Sequence, residues 1–216
     1  SACGVNVPEA QLLTKAACTS GSIALPSYPV VVKPVGSDNS HGVSLVTDPA
    51  QLGNAIADAH FYHDQVLIEK YIELGREVRC GIVQRDEGLV CLPLEEYAVD
   101  ANKRPIRLHG DKLVRDRDEL LELPASALDL TWIVDQKDPV TQIVQSAALK
   151  CYTALGCRHY GLFDFRVDPN GVPWFLEAGL YCSFSPGSVI VKMCEAHGIS
   201  LENYFAESVQ LAIDSG

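Results

Sequence analysis

The chain has 216 residues, of which 47% are hydrophobic, enough to bury a sizeable core in one or two globular units. No apolar run approaches the about 20 residues of a membrane-spanning helix, and no basic stretch followed by an apolar one marks a signal peptide at the N-terminus. The net charge of -11, with 17 basic residues, argues against nucleic acid as a partner, because binding a phosphate backbone needs a dense basic surface.

Eight cysteines are scattered through apolar segments without a CxxC pair. This distribution argues against a zinc site and favours reduced thiols in the core of a cytoplasmic protein. We therefore expect no membrane association and a cytoplasmic localisation.

In chain order, the sequence predicts a mixture of helices and strands. Residues 8–20 are expected to form a helix, residues 28–34 a short buried strand, and Asp48-Pro49 the start of a second helix. Three β-rich stretches follow, at residues 66–72, 77–84 and 89–99.

Residues 100–124 are charged and irregular, and they form the one basic island of the chain, so we expect a surface loop there. Asp138-Pro139 opens a long helix whose apolar stripe ends before Gly156. A β-hairpin over residues 160–179 and two helices, at about 186–197 and 200–213, complete the chain.

The hairpin is the most informative segment, because residues 168–171 (DPNG) are strong turn residues between two alternating runs. If residues 169–170 form the loop, Asp164 faces Phe175 and Glu177 is its diagonal neighbour. If residues 170–171 form it, Asp164 faces Glu177 directly. Either register places both acids and Arg166 on one face. The opposite, apolar face is expected to carry Phe163, Phe165, Val167, Trp174 and Leu176.

Two acids at this spacing repel each other unless a cation joins them. A hard divalent cation, bound also by a substrate phosphate, would satisfy both carboxylates, and the hairpin therefore suggests a magnesium site at Asp164 and Glu177. The alternative is a solvated polar face on which Arg166 neutralises both acids.

Two further features suggest a nucleotide. Lys33 ends a buried strand and needs an anionic partner, and the small polar loop at residues 36–42 can offer amides and hydroxyls to phosphate oxygens. Residues 66–72 can form an extended backbone that hydrogen-bonds to the edge of an adenine. The carboxylates of this segment and of Glu77 can bind amino and ribose hydroxyl groups. The alternatives are an ordinary strand end with a surface loop, and an amphipathic strand pair.

In this order the three features resemble the ATP-grasp superfamily, and most closely its D-alanine–D-alanine ligase branch, over residues 29–199. The resemblance implies an α+β ATP-grasp fold, in which two α+β subdomains bind a nucleotide between their antiparallel sheets. We expect an N-terminal helix and connection at 1–28, a smaller subdomain at 29–75 and a larger one at 76–216. The family also has a separate N-terminal substrate domain, which we expect to be absent from this sequence, as it would be from a fragment of a longer protein.

The resemblance also implies roles for single residues. The nucleotide is expected to contact Lys15, Lys33, Ser37, Ser40, Gly42, Glu69, Lys70, Tyr71, Ile72, Glu77 and Leu176. Within that set the lysines and the loop contact phosphates, residues 69–72 form the adenine-binding hinge, and Glu77 binds the ribose. The metal ligands fall on Asp164 and Glu177, and a substrate-contacting serine falls on Ser188.

The chain departs from the family pattern at two positions near the predicted metal site. Gly179 stands where the Glu-x-Asn motif of the family has an asparagine ligand, and Leu162 stands where the family has an arginine that stabilises charge at the reacting carbonyl. As a hypothesis, Arg166 takes over the role of that arginine.

The implied function is an ATP-dependent carboxylate–amine ligase that forms an amide or peptide bond through an acyl phosphate, with an amino-acid substrate. It would use ATP and one or two Mg2+ ions and act on small-molecule carboxylates and amines. A homodimer is compatible with this function. One alternative is a catalytically impaired nucleotide-binding module that acts in regulation or interaction. Another is an acidic structural domain without a nucleotide site.

Overall fold

The computed structural model describes residues 3–15, 27–37, 40–107, 113–116, 119–122, 130–179 and 183–214. The chain divides into two units. The larger unit consists of Ser1–Val7, Leu74–Ala98 and Pro124–Gly216, and the smaller unit consists of Pro8–Glu73 and Val99–Leu123.

The boundaries of these units differ from those of the expected subdomains, most of all at residues 1–28 and 99–123. Residues 1–7 belong to the larger unit, where Asn6 forms a bridge with Trp174 and accepts a hydrogen bond from the Phe175 N–H at 2.9 Å. Residues 99–123 belong to the smaller unit, although the sequence placed them in the larger subdomain.

An antiparallel four-stranded sheet forms the centre of the smaller unit. Its strands, in spatial order, are β1 (Ala10–Thr14), β4 (Gln65–Lys70), β2 (Val30–Pro34) and β3 (Ser44–Val46). Helix α1 (Leu52–Tyr62) packs its Ala55 and Ala59 against buried valines and Ile68 of the sheet. Asp48 accepts a hydrogen bond from the Ala50 N–H at the start of the preceding 3-10 turn, as its position before Pro49 predicts.

The predicted helix over residues 8–20 is wrong in its described part, because residues 10–14 form β1. Leu13 is buried and Leu12 is exposed, which is the period of two of a strand. Pairing with β4, in which Leu12 faces Leu67, overrides the local helix propensity. Residues 16–20 lie outside the described residues.

The region predicted as an irregular loop, residues 100–124, contains two short strands in its described part. Strands β8 (Leu113–Asp116) and β9 (Glu119–Glu122) pair antiparallel in the smaller unit. A turn precedes them, in which the Asp100 carboxylate accepts hydrogen bonds from the N–H groups of Asn102 and Lys103.

A second antiparallel sheet forms the centre of the larger unit. Its strands are β10 (Thr131–Ile133), β7 (Glu95–Tyr97), β5 (Arg76–Arg85), β11 (Tyr160–Val167), β12 (Pro173–Gly179) and β6 (Gly88–Cys91). The long middle strand, β5, is flanked by β11 on one side and by β6 and β7 on the other.

The two faces of this sheet have different coverings. Helix α2 (Pro139–Ala154) covers one face and packs on alternate residues of β5 and β11, such as Val78 and Phe163. Helices α3 (Val189–Ala196) and α4 (Leu201–Asp214) belong to the apolar cluster on the other face, which includes Val83 and Leu162. The rest of that second face, beyond the cluster, carries charged residues.

The mixed α+β composition predicted from the sequence is confirmed by these two units. Six of the eight cysteines lie in the described residues and none of those six forms a disulfide. No helix in the described part of the chain is long and apolar enough to cross a membrane.

Asp138 caps α2, because its carboxylate accepts a hydrogen bond from the Val140 N–H at 3.0 Å and another from Arg76 at 2.8 Å. We predict that Asp138→Ala lowers the free energy of unfolding by about 1 kcal/mol or more, measured by urea denaturation at pH 7. Asp138→Asn keeps an oxygen that can accept the Val140 hydrogen bond, so its loss should be smaller. Equal losses for both variants would show that the cap does not act in this way.

The same cap has a pH signature. The Val140 N–H, and then the Arg76 guanidinium, hold the pKa of Asp138 below its ordinary value. A depressed folded-state pKa stabilises the fold fully above the ordinary aspartate pKa of about 3.9, and this contribution is lost as the pH falls through the lower folded-state value. The stability difference between the wild type and Asp138→Ala should therefore shrink at acid pH.

Candidate functional site

The β11–β12 hairpin brings the two predicted metal ligands opposite each other. Asp164 faces Glu177, which is the register expected from a loop at residues 170–171. The loop itself has three residues, because the Asp168 N–H donates to the carbonyl of Val172 at 3.0 Å. A shift between Asp164 and Phe165, a β-bulge on β12, then restores the direct pairing of the two acids.

Because the loop has three residues instead of two, the apolar face of the hairpin differs from the predicted one. Trp174 faces Arg166, and its indole N–H donates to the Asp168 carboxylate at 3.1 Å, so its predicted place among the buried aromatics is wrong. Phe175 takes that place and contacts Phe165 with a ring-centroid distance of 5.8 Å. One inserted residue changes which side chains alternate onto the core.

Strand β5 provides Asp164 with an arginine that sequence reasoning missed. Arg79 faces Asp164, and its Nε and Nη2 donate to the two carboxylate oxygens, the second at 2.7 Å. The guanidinium also lies 5.5 Å above the centre of the Tyr97 ring. Burial opposes the charged form, but the Asp164 carboxylate and its neighbours hold the pKa of Arg79 well above its ordinary value.

A second ion pair lies beside the first on the same two strands. Arg166 faces Glu77, and its Nη2 donates to the Glu77 carboxylate at 2.5 Å. Both residues are buried. The structure thus brings together the predicted ribose carboxylate and the arginine predicted to stabilise charge in the reaction.

Asp164 and Glu177 suit a hard divalent cation, because Mg2+ prefers carboxylate oxygens. Asp164 is buried, whereas Glu177 is exposed. Among the described residues no group of three or more acidic, histidine or cysteine side chains is arranged to hold a metal. Two carboxylates can contribute to the coordination of Mg2+ only together with other oxygens, such as those of water or a phosphate.

The smaller unit contains the predicted phosphate lysine. Lys33 lies 2.7 Å from the Glu69 carboxylate, Nζ to Oε2, and the two side chains are 17% and 10% exposed. A buried ammonium needs such a partner. Two residues predicted to contact one nucleotide are therefore in direct contact with each other.

The described part of the predicted phosphate loop lies against α1 at Gly42. The Ser37 hydroxyl donates to the carbonyl of His41 at 2.8 Å, and Ser40 and Gly42 both have positive φ angles, of 60° and 72°. A Cβ at Gly42 would lie 2.7 Å from the Tyr62 ring, so a side chain does not fit there. Residues 38 and 39 lie outside the described residues.

The predicted hinge continues β4 and packs beside other segments of the smaller unit. The backbone N–H of Lys70 donates to the carbonyl of Glu9 at 2.8 Å, and the backbone N–H of Tyr71 donates to the carbonyl of Pro29 at 3.0 Å. The Tyr71 hydroxyl donates to the carbonyl of Pro105 at 3.4 Å. Backbone pairing therefore fixes this segment in an extended form.

Two other predicted site residues have local partners. Lys15 follows a strand rather than lying in a helix, and its exposed ammonium pairs with Asp64 at 2.7 Å. Ser188 is the N-cap of α3, and its hydroxyl donates to the carbonyl of Ser183 at 2.6 Å. The nucleotide and substrate roles assigned to these two residues stay predictions.

Comparison with known proteins identifies the family. The family model described as D-ala D-ala ligase C-terminus matches residues 1–210. The chain belongs to this ligase family.

Curated relatives include the vancomycin B-type resistance protein VanB of Enterococcus faecalis, which is 30% identical over 98% of this chain and 58% of its own length. The D-alanine–D-alanine ligase of Ligilactobacillus salivarius is 26% identical over 85% of this chain and 46% of its own length. The chain spans about half the length of the curated relatives that it matches.

Solved structures show the same fold at low identity. The VanG D-Ala:D-Ser ligase of Enterococcus faecalis has a TM-score of 0.74 and 22% identity, covering 97% of this chain and 58% of that one. The D-alanine–D-alanine ligase of Bacillus anthracis complexed with ATP has a TM-score of 0.70 and 21% identity, covering 98% and 61%. The fold is therefore the ATP-grasp fold of the D-alanine ligases.

The structure explains the chain's departures from the ligase family pattern. Leu162 faces Gly179 across the hairpin and faces Gly81 in β5. It packs in the apolar cluster that includes Leu92 and Met193. The polar residues of the family pattern are thus replaced by a leucine and a glycine at the edge of that cluster.

The buried Arg166–Glu77 ion pair should contribute to the stability of the fold. Arg166→Met leaves the Glu77 carboxylate buried without this partner, and we expect a loss of about 3–5 kcal/mol in the free energy of unfolding. The double variant Arg166→Met/Glu77→Gln removes both charges and should recover part of that loss in urea denaturation. A double variant as unstable as the sum of the two single variants would contradict the coupling.

Proposed function

We propose that this chain forms the nucleotide-binding part of an ATP-dependent ligase that joins the carboxylate of one small molecule to the amine of another. The observation that carries the proposal is the direct pairing of Asp164 with Glu177 on the hairpin of a chain in the ligase family. The names of its relatives, which include D-alanine–D-alanine ligases, support amino-acid substrates.

In this proposal the smaller unit supplies positive charge and backbone donors to the nucleotide. Lys33 is a largely buried cation within a sheet, and in the loop that begins at Ser37 the Ser37 hydroxyl donates to the carbonyl of His41. Residues 69–72 contribute the extended backbone and the Glu69 carboxylate. Such preorganised donors stabilise charge that grows on phosphate oxygens without a reorganisation cost at the moment of reaction.

The larger unit would hold the metal that accompanies the nucleotide. Asp164 and Glu177 would be the protein ligands of Mg2+, and bound Mg2+ would neutralise phosphate charge and orient the phosphates. Arg79 fixes the orientation of the Asp164 carboxylate, and Arg166 does the same for Glu77. Ser188 is the proposed substrate contact.

The proposed reaction has two steps. The substrate carboxylate attacks the γ-phosphorus of ATP, so that ADP leaves and an acyl phosphate forms. The amine then attacks the acyl carbon, inorganic phosphate leaves, and the amine loses a proton as the amide forms. No side-chain nucleophile is needed, so the chain's contribution is positioning and electrostatic stabilisation.

Nucleotide binding tests the first part of the proposal on this chain alone. ADP with Mg2+ should raise the melting temperature of the chain more than ADP with EDTA does. Lys33→Met should weaken ADP binding by about tenfold or more in calorimetric titration, because a buried charge-assisted contact is lost. Lys150→Met, which removes an exposed lysine of α2, is the control and should bind as the wild type does. Equal binding by both variants would contradict the role of Lys33.

Turnover tests the second part, in the protein with all of its domains. The first reaction mixture contains ATP, Mg2+ and D-alanine, which serves as both the carboxylate and the amine. In it, Asp164→Asn and Glu177→Gln should each lower the rate of phosphate release by about 100-fold or more. Glu195→Gln, at an exposed position in α3, should leave the rate unchanged. Unchanged rates in the two site variants would refute the metal-ligand assignment.

A second candidate function is a nucleotide-binding module without ligase activity, and Gly179 and Leu162 are the observations that favour it. It predicts magnesium-dependent ADP binding without phosphate release on addition of any amino acid, peptide or other carboxylate with an amine. Phosphate release with any such pair would reject it.

A further inference from the structure

Arg79 belongs to a row of charged residues that crosses the sheet of the larger unit. Glu177 faces Asp164, Asp164 faces Arg79, and Arg79 faces Glu95 in three successive strand pairs. Residues that face each other on neighbouring strands point to the same side of the sheet. The row therefore brings three carboxyl groups and one guanidinium to the same side of the sheet.

The positive charge in this row is fixed in place. Arg79 uses two nitrogens to hold both oxygens of Asp164, it lies over the Tyr97 ring, and its side chain is only 17% exposed. A planar guanidinium held in this way loses little further freedom when a ligand binds. Asp164 therefore presents its carboxylate with a permanent cation on one side and Glu177 on the other.

The next pair along the hairpin offers no further oxygen side chain. Gly179 has no side chain, and Leu162, which faces it, is packed in the apolar cluster with Leu92 and Met193. A second Mg2+ would need oxygen ligands at a place where the described residues are apolar. It would also be repelled by the guanidinium of Arg79.

We propose that Arg79 is a positioning residue whose fixed charge takes the place of a second divalent cation, so that the site binds a single Mg2+ with its nucleotide. The inference rests on the proposed nucleotide and metal site, and it adds the number of metal ions and the residue that sets this number. The guanidinium orients the Asp164 carboxylate and limits the charge that the row can accept.

The number of ions can be counted with Mn2+ in place of Mg2+. In equilibrium dialysis of the wild-type chain with Mn2+ and ADP, the ratio of retained Mn2+ to retained ADP should be one. A ratio of two would overturn the inference about Arg79 and leave the proposed nucleotide site intact. If neither ADP nor Mn2+ is retained, the proposed function itself is overturned.

Variants of Arg79 test, in the absence of nucleotide, whether its charge limits the binding of divalent cations. Removing the charge in Arg79→Gln should raise the affinity for Mn2+ alone by about tenfold or more, measured from the paramagnetic resonance signal of free Mn2+. Arg79→Lys keeps the charge and should stay within about threefold of the wild type. Arg85→Gln is the matched control, because Arg85 is an ion-paired arginine of the same strand whose partner is Glu207. It should leave Mn2+ affinity unchanged.

Circular dichroism and thermal melting first establish that each variant is folded. Equal Mn2+ affinity in folded Arg79→Gln and in the wild type would overturn the role of Arg79. If Arg79→Gln does not fold, the ratio of retained Mn2+ to retained ADP in the wild type decides the number of ions. A ratio of two in Arg79→Lys would then overturn the role of the charge.

Discussion

The pairing of β5 with β11 is the constraint on which the candidate metal site depends. It places two ion pairs side by side, Arg79 with Asp164 and Arg166 with Glu77, all within or near the core of the larger unit. A slip of one residue would turn these charges toward the apolar face under α2, at a cost of several kcal/mol per unpaired ion. The ion pairs therefore specify the register, and the register determines where the hairpin presents its acids.

The same strand pairing separates two environments on one face of the sheet. Leu162 and Asp164 are two residues apart on β11, yet Leu162 packs under α3 and Asp164 binds a guanidinium. A charged side chain and an apolar one thus share one face of the same strand. Because apolar side chains of the α3 cluster surround Leu162, the proposed metal site has only the carboxylates beyond this cluster, and Arg79 on β5 binds one of them.

Much of the fold was predictable because its signals are local. The DPNG turn predicts the hairpin and Asp138-Pro139 predicts the start of α2, and both are confirmed. Strand β1 was predicted as a helix, because its pairing with β4, more than 50 residues away, cannot be read from its own sequence. Trp174 was placed on the wrong face for a related reason, since a loop of three residues instead of two reverses the alternation at the start of β12.

The site was predictable only in part. Asp164 and Glu177 could be placed together from the turn, whereas the Arg79 contact joins residues 85 positions apart and requires the strand order of the sheet. Alternating charges in β5 at Glu77 and Arg79 match those in β11 in reverse, and this was the signal that could have revealed it. The nucleotide roles of the remaining residues come from the family resemblance and stay predictions.

The most direct test of the account is a crystal structure of the chain with ADP and Mg2+. We predict one Mg2+ at about 2.1 Å from oxygens of Asp164, Glu177 and a phosphate, with Arg79 still bound to Asp164. A nucleotide bound elsewhere, or a metal that contacts neither carboxylate, would contradict it.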